Sequence, residues 1–217
     1  MPGVTISAGY GAGGSIVAPR LAQRLGYPLL DRAISSHIAE QLHVSVEEAE
    51  GGAIRRSLAE RFFGSLAPLA GGVIGLGPDG EPDAPLPLDD AAQFRELAEA
   101  IMFRALDDGA VILGRAGAAA TQQRTDVLRV RLHGPQRARI EQAARVEGVD
   151  PDTAAKRLPE VDDARALYVR RLYGCDIDDP HLFHLQIDST AVPLDVCVDL
   201  VETAYQAYQG SERPLAR

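Results

Sequence analysis

Residues Val4–Gly26, "VTISAGYGAGGSIVAPRLAQRLG", decide how the rest of the chain is read. Val4–Ser7 is short, apolar and β-branched, as a buried strand requires. Glycines at 9, 11, 13 and 14 follow at once, and a helical pattern runs from Ser15 to Leu25. A strand, a glycine-rich turn and a helix in immediate succession form an anion site on mechanical grounds. Gly9, Gly11, Gly13 and Gly14, with Ala12 among them, permit positive φ and a close approach of backbone to an oxyanion. The helix then aims its first N–H groups and the positive end of its dipole at the same point. Ser15 falls where a hydroxyl reaches a phosphate-bound magnesium ion. Two positions depart from the usual phosphate-loop pattern: Ala8 stands for its first glycine, and Gly14 for the lysine that neutralises the β and γ phosphates. Pro19 removes one N–H donor, early enough in the helix to be tolerated. On these residues alone two readings stand, a phosphate site and a turn that merely lets strand and helix pack closely.

Outward from this stretch, apolar β-branched runs alternate with longer helical patterns, the signature of a parallel α/β sheet. Tyr27–Asp31, Ala110–Gly114, Val127–Leu132 and Leu182–Asp188 complete a set of about five strands. Helices are expected over Arg32–Leu42, Val46–Phe63, Ala91–Leu106 with Asp90 as cap, and Pro135–Val146. Asp150 followed by Pro151 is a strong helix start, and a last helix runs from near Pro193 to about Gln209. Pro68–Asp90 is rich in proline and glycine without either period, and reads as a long surface loop, flexible or ordered by a ligand.

The net charge of -9 over 217 residues argues against a protein that coats nucleic acid or rests on anionic lipid. It leaves room for a small anionic ligand, since a local arginine cluster overrides the global sign. Cys175 and Cys197 make no disulfide framework, and Cys197 reads as a small buried side chain. The five histidines are scattered without metal-ligand spacing. Met1 runs almost directly into a strand, which leaves no room for a signal peptide, and no apolar run approaches membrane-spanning length. The expected setting is cytoplasmic and reducing, without a membrane or nucleic-acid partner.

The order of "VTISAGYGAGGSIVAPRLAQRLGYPLLDRAI", "VILGRAG", "VLRVRLHGPQRARIEQAARVEGV", "VDDARALYVRRLYG" and "LFHLQIDST" resembles the cytidylate kinase-like proteins, relatives of bacterial cytidylate kinase among the P-loop nucleoside monophosphate kinases. The resemblance runs from about Val4 to about Tyr205 and is weakest over Ala49–Asp90. It implies a single domain over residues 1–217, a P-loop NTPase fold with a parallel sheet. An acceptor-binding insert would occupy residues 32–90 and an arginine-bearing lid residues 150–180. It also implies ATP and Mg2+, with γ-phosphoryl transfer to a pyrimidine nucleoside monophosphate. The lysine-less "YGAGGS" is similar to a "YGSGGS" loop type of the same branch.

The resemblance also implies roles for single residues. "LLDRAI" places Asp31 beside the acceptor, a position equally suited to a helix cap. "ILGRAG" places Arg115 over the phosphates, at a strand end where open α/β sheets bind ligands. Ala116 and Leu113 stand where acidic residues are expected, which bears on base recognition and on magnesium. Asp162, Arg165, Tyr168 and Arg171 recur three apart, so that Arg165 and Arg171, with Arg170 as a third, close over the transferring group. Phosphoryl transfer needs positioning and positive charge more than covalent chemistry. Asp188 and Ser189 of "QIDST" either lie near the adenine or cap a helix. Two other functions fit the missing lysine and carboxylates: a nucleotide-binding protein without catalysis, and a kinase of another small acceptor.

Overall fold

The computed structural model describes residues 3–31, 88–114 and 116–210. The helices expected over Arg32–Leu42 and Val46–Phe63, residues 68–87 of the proline-rich segment, and Arg115 lie outside the described residues. The described elements are β1 (Gly3–Ala8), α1 (Gly14–Leu25), β2 (Leu29–Leu30), α2 (Leu88–Asp107), β3 (Val111–Leu113) and α3 (Gly117–Ala120). They continue with β4 (Val127–His133), α4 (Gln136–Glu147), α5 (Pro151–Tyr173), β5 (Leu185–Asp188) and α6 (Leu194–Gly210).

The five strands form one parallel sheet in the order β2-β3-β1-β4-β5. β1 is central: Val4 pairs with Val111 of β3 on one side and Leu128 of β4 on the other. A parallel sheet must be covered on both faces. Alternate residues Val4, Ile6, Leu128, Val130 and Leu132 pack on one face with Val17 and Leu21 of α1 and Val198 and Val201 of α6. On the other face Ile112 and Val127 meet Ala98, Met102 and Leu106 of α2 and Leu172 of α5. Cys197 is fully buried on the first face, as expected of a small apolar side chain. The second face turns polar toward the strand ends, with Thr5 and Arg129 buried there. Arg129 donates from Nε to Leu182 O at 2.8 Å and from Nη1 to Thr121 O at 3.1 Å, so it is a structural tie.

Several boundaries differ from the sequence reading. α2 begins at Leu88, so Asp90 lies inside its first turn and not at the cap position before it. The last strand begins at Leu185 because Asp179 caps a 3-10 turn over Pro180–Leu182, accepting from His181 N at 2.9 Å. The Asp150–Pro151 start holds: the Asp150 carboxylate accepts from Thr153 N at 2.8 Å. No helix among the described residues is long and apolar enough to cross a membrane. β3 and β4 flank β1 from chain segments that diverge, which opens a crevice at its carboxyl end.

Candidate functional site

The loop between β1 and α1 occupies that crevice, and its carbonyls are all tied. Ala8 O accepts from Arg165 Nη1 at 2.9 Å, and Gly9 O from Ala12 N at 3.0 Å. Tyr10 O accepts from Arg139 Nη1 at 3.0 Å, Gly11 O from Gln142 Nε2 at 2.9 Å, and Ala12 O from Ser189 Oγ at 2.7 Å. Gly13 O accepts the first helical bonds, from Ile16 N and Val17 N, each at 3.0 Å. With the carbonyls held in this way, the amides of Gly11, Gly13, Gly14 and Ser15 meet no acceptor among the described residues. Successive N–H groups running into a helix N-terminus make a concavity for an anion.

The glycines serve this shape in two ways. Gly11 and Gly13 have φ of 74° and 75°, the left-handed region that only glycine enters cheaply. Gly9 and Gly14 do not share it, contrary to the sequence expectation, and are needed for space. A Cβ on Gly9 would lie 2.6 Å from Arg139 Nη1, and one on Gly14 would lie 2.7 Å from Ala8 Cβ. Ser15 is the second residue of α1 and is exposed at the mouth of the loop.

Three guanidinium groups gather around the same strand ends. Arg139 of α4 is only 14% exposed and donates to Gly134 O through Nε and to Asp162 Oδ2 through Nη1, at 3.1 and 2.6 Å. Arg131 of β4 donates to Ser7 Oγ at 2.7 Å, pairs with Asp178 and lies over the Phe183 ring. Arg165 of α5 keeps 48% of its side chain exposed, yet protein atoms crowd its guanidinium. That loss of water lowers its pKa; Asp162 and Asp31 oppose the shift, while Arg131 and Arg139 add to it. Desolvation likewise lowers the Arg131 guanidinium, whose neighbours include Asp178, Asp162 and Arg139. Asp31 follows β2, half-buried, and its charge is felt at Arg165.

On the far side of the loop, a cleft of about 480 Å³ opens between α4 and the start of α6, with Gln142, Arg145 and Val146 facing Thr190, Val192 and Leu194. Just before the cleft residues Thr190–Leu194, Asp188 caps a turn, accepting from Thr190 N at 3.0 Å and Thr190 Oγ1 at 2.6 Å. The Thr190 hydroxyl and these amides hold the Asp188 carboxyl below its ordinary pKa. These contacts cap the turn at Thr190 and Ala191, ahead of the helix that begins at Leu194, so Asp188 is a turn cap and not the helix cap read from the sequence.

A family model for the cytidylate kinase-like family matches residues 3–191. The chain belongs to the cytidylate kinase-like family. It is 28% identical over 205 residues to a cytidylate kinase of Natronomonas pharaonis, an alignment that covers 94% of this chain and 90% of that one. A crystal structure of an uncharacterized protein from Eubacterium ventriosum ATCC 27560 has a similar fold, with a TM-score of 0.59 at 17% identity, covering 95% of this chain and 99% of that one.

The departures from the usual phosphate-loop and cytidylate kinase patterns at Ala8, Gly14 and Leu113 meet at one point. The Cβ that Gly14 lacks would fall between Ala8 Cβ at 2.7 Å and Leu113 Cδ1 at 3.1 Å. The space a loop lysine needs to leave the backbone is thus filled by an alanine methyl and a leucine. A side chain at position 14 therefore needs Ala8 or Leu113 to shift.

The structure brings Gly9–Ser15, Arg165 and Asp31 to one edge of the sheet. Arg171 stands exposed in the last turn of α5, six residues and about 240° further round the helix than Arg165. Backbone on either side of Arg115 is described: Gly114 has φ 73°, and Ala116 the unusual value, for a residue with Cβ, of 54°. Such strain tends to collect at functional sites. Sequence reasoning missed Arg139, Gln142, Arg131 and the part played by Asp162. One signal was available: α4 carries Arg139 and Gln142 three residues apart among its inward positions, where apolar residues are expected.

Proposed function

We propose that this protein is an ATP- and magnesium-dependent kinase that transfers the γ-phosphoryl group to a pyrimidine nucleoside monophosphate. The observation that carries the reading is the loop, whose carbonyls are tied back by Arg165, Arg139, Gln142 and Ser189 while the amides of Gly11, Gly13, Gly14 and Ser15 meet no acceptor among the described residues. In this reading the donor phosphates rest on those amides, and the adenine enters the cleft beside Thr190 and Val192. Ser15 Oγ holds magnesium, which when bound adds positive charge at the donor phosphates. Asp31 accepts hydrogen bonds from the acceptor. Residues 32–90 form the acceptor-binding insert, and residues 150–180 bring the arginines. Arg115 and Arg165 neutralise charge that develops on the transferring group; Arg171, exposed on another side of α5, is not counted with them. The acceptor phosphate is already a nucleophile at neutral pH, so no side chain need act as a base. The charge that a loop lysine would supply comes from guanidinium groups outside the loop.

A panel of nucleoside monophosphates, with small alcohols as controls, assayed for ADP release tests the reading. Selective turnover of a pyrimidine monophosphate is expected; turnover of an alcohol alone would move the chain to another acceptor. Leu113, which stands where the resemblance expects an acidic residue, favours a second reading of nucleotide binding without transfer. Calorimetric ATP binding with no turnover across the panel selects it.

A further inference from the structure

We infer that Asp162 is the positioning residue of this site: one carboxylate sets the phosphate loop and the arginines that serve it in register. The inference rests on the reading of that loop as a nucleotide-phosphate site. Asp162 lies on α5, 152 residues along the chain from Tyr10, and its side chain is 28% exposed. Its two oxygens do different jobs. Oδ1 accepts the Tyr10 amide at 2.8 Å, and Oδ2 accepts Arg139 Nη1 at 2.6 Å. The same Arg139 nitrogen donates to Tyr10 O at 3.0 Å. Tyr10 N–H, Asp162, Arg139 and Tyr10 C=O therefore close a ring around one loop residue. Arg165, one helical turn beyond Asp162, has Nη1 at 3.9 Å from Oδ1 and donates to Ala8 O, where the loop leaves β1.

Each part of the ring explains another. Tyr10 would otherwise bring a partly buried amide to the α4–α5 interface without an acceptor, and an unmet donor there is costly. Arg131, Arg139 and Arg165 repel one another, and Asp162 is the carboxylate whose charge both Arg131 and Arg165 feel. The ring holds the loop through the Tyr10 amide and carbonyl, and the amides of Gly13, Gly14 and Ser15 meet no acceptor among the described residues. It fixes the loop without competing for the ligand. A loop without lysine depends on the correct placing of amides and outside cations, and Asp162 does both.

A residue that only held α5 in place would lower stability and leave ligand affinity coupled to nothing. A positioning residue acts through the groups it holds, and Arg139 is the guanidinium that Asp162 bonds, so the losses at Asp162 and Arg139 should not multiply. The test uses the full chain with Asp162→Asn, which keeps the shape and removes the charge, Asp162→Ala, Arg139→Ala, the double variant Asp162→Asn with Arg139→Ala, and Arg165→Ala. Calorimetry with magnesium ATP should give about tenfold weaker binding for Asp162→Asn, and the double variant should fall within about twofold of the worse single. The Tyr10 amide should exchange with solvent at least about tenfold faster in Asp162→Ala than in wild type, and at the wild-type rate in Arg165→Ala. Multiplying losses, unchanged ATP affinity in Asp162→Asn, or unchanged Tyr10 exchange in a folded Asp162→Ala would each overturn the inference. If Asp162→Ala fails to fold, the Asn variant and the double decide. A wild-type protein that binds no ATP sinks the nucleotide reading alone, and Tyr10 exchange then decides the role of Asp162.

Discussion

Arg165 and Arg171 are the same residue type on the same helix, six positions apart, yet they meet different surroundings. Arg165 donates to the phosphate loop at Ala8 O, 2.9 Å away, and Arg171 is exposed in the last turn. The two ends of α5 are held by different means. Near its middle, Asp162 binds the Tyr10 amide, and the Tyr10 ring is buried with Ala143, Ala154 and Leu158. At the carboxyl end Leu172, with Tyr168 and Tyr173, packs on α2 over the second face of the sheet. A helix side chain reaches a site because of its angle and height on the helix, and a spacing of three drifts steadily away from any fixed direction. The lesson is that the arginine pattern in "VDDARALYVRR" marks a helix near a site without saying which arginine enters it.

The largest expected effect separates these two arginines. Arg165→Ala should lower turnover about a hundredfold, since removing one contact to transition-state charge costs on the order of 3 kcal/mol. Arg171→Ala should stay within about threefold, because an exposed charge at a distance is screened by solvent and salt. Steady-state ADP release with the preferred monophosphate, beside melting temperatures, measures both. Equal losses would break the comparison and make the whole helix, rather than its near end, the catalytic arm.

Next in size is the exchange of side chains at the foot of the loop. Gly14→Lys drives a Cβ to 2.7 Å from Ala8 Cβ and 3.1 Å from Leu113 Cδ1. Overpacking of this kind typically costs about 1–3 kcal/mol, and ATP affinity should not rise. Ala8→Gly with Gly14→Lys removes the methyl that blocks the path and should recover most of that stability. Urea unfolding and ATP calorimetry on both variants give the answer. A stable single variant with much tighter ATP binding would show that the space is open and the outside arginines do not replace the lysine.

Much of the fold could be read from residues alone. Strand and helix alternation gave the parallel sheet, and the strand–glycine–helix succession gave the loop and its place. What stayed hidden depends on partners far apart in sequence. Arg139 and Gln142 look like ordinary helix residues until 129 and 131 positions of chain bring them to carbonyls of the loop, and Ser189, read beside the adenine or as a helix cap, ties Ala12 O instead. The glycines were legible as a group, but only the structure divides them into two that need positive φ and two that need room. Arg115 and residues 32–87, where the acceptor side is read from the resemblance, lie outside the described residues.

The smallest expected effect asks what holds the near end of α5. Tyr10 OH donates to Glu147 Oε2 at 2.8 Å, and Arg157 Nη1 donates to the same oxygen at 3.1 Å. Tyr10→Phe removes that hydroxyl and keeps the ring among Ala143, Ala154 and Leu158. It should cost about 1.5 kcal/mol, the low end of the net worth of one hydrogen bond to a charged group. ATP affinity should remain within about twofold, because the backbone of Tyr10 is held separately by Asp162 and Arg139. The pH dependence supplies a sign. Burial first, and then the bond to Glu147, raises the Tyr10 pKa above its ordinary 10.0. As pH climbs past that value, the unfolded chain loses the proton before the native one does. The native state then binds more protons, and stability falls with rising pH. Phenylalanine has no proton to lose, so the stability gap between wild type and Tyr10→Phe should shrink as urea titrations move from neutral pH to above pH 10. A gap that widens there would show that the hydroxyl is better placed when ionised. A large loss of ATP affinity at neutral pH would show that the hydroxyl, rather than the Asp162 ring, keeps the loop on α5.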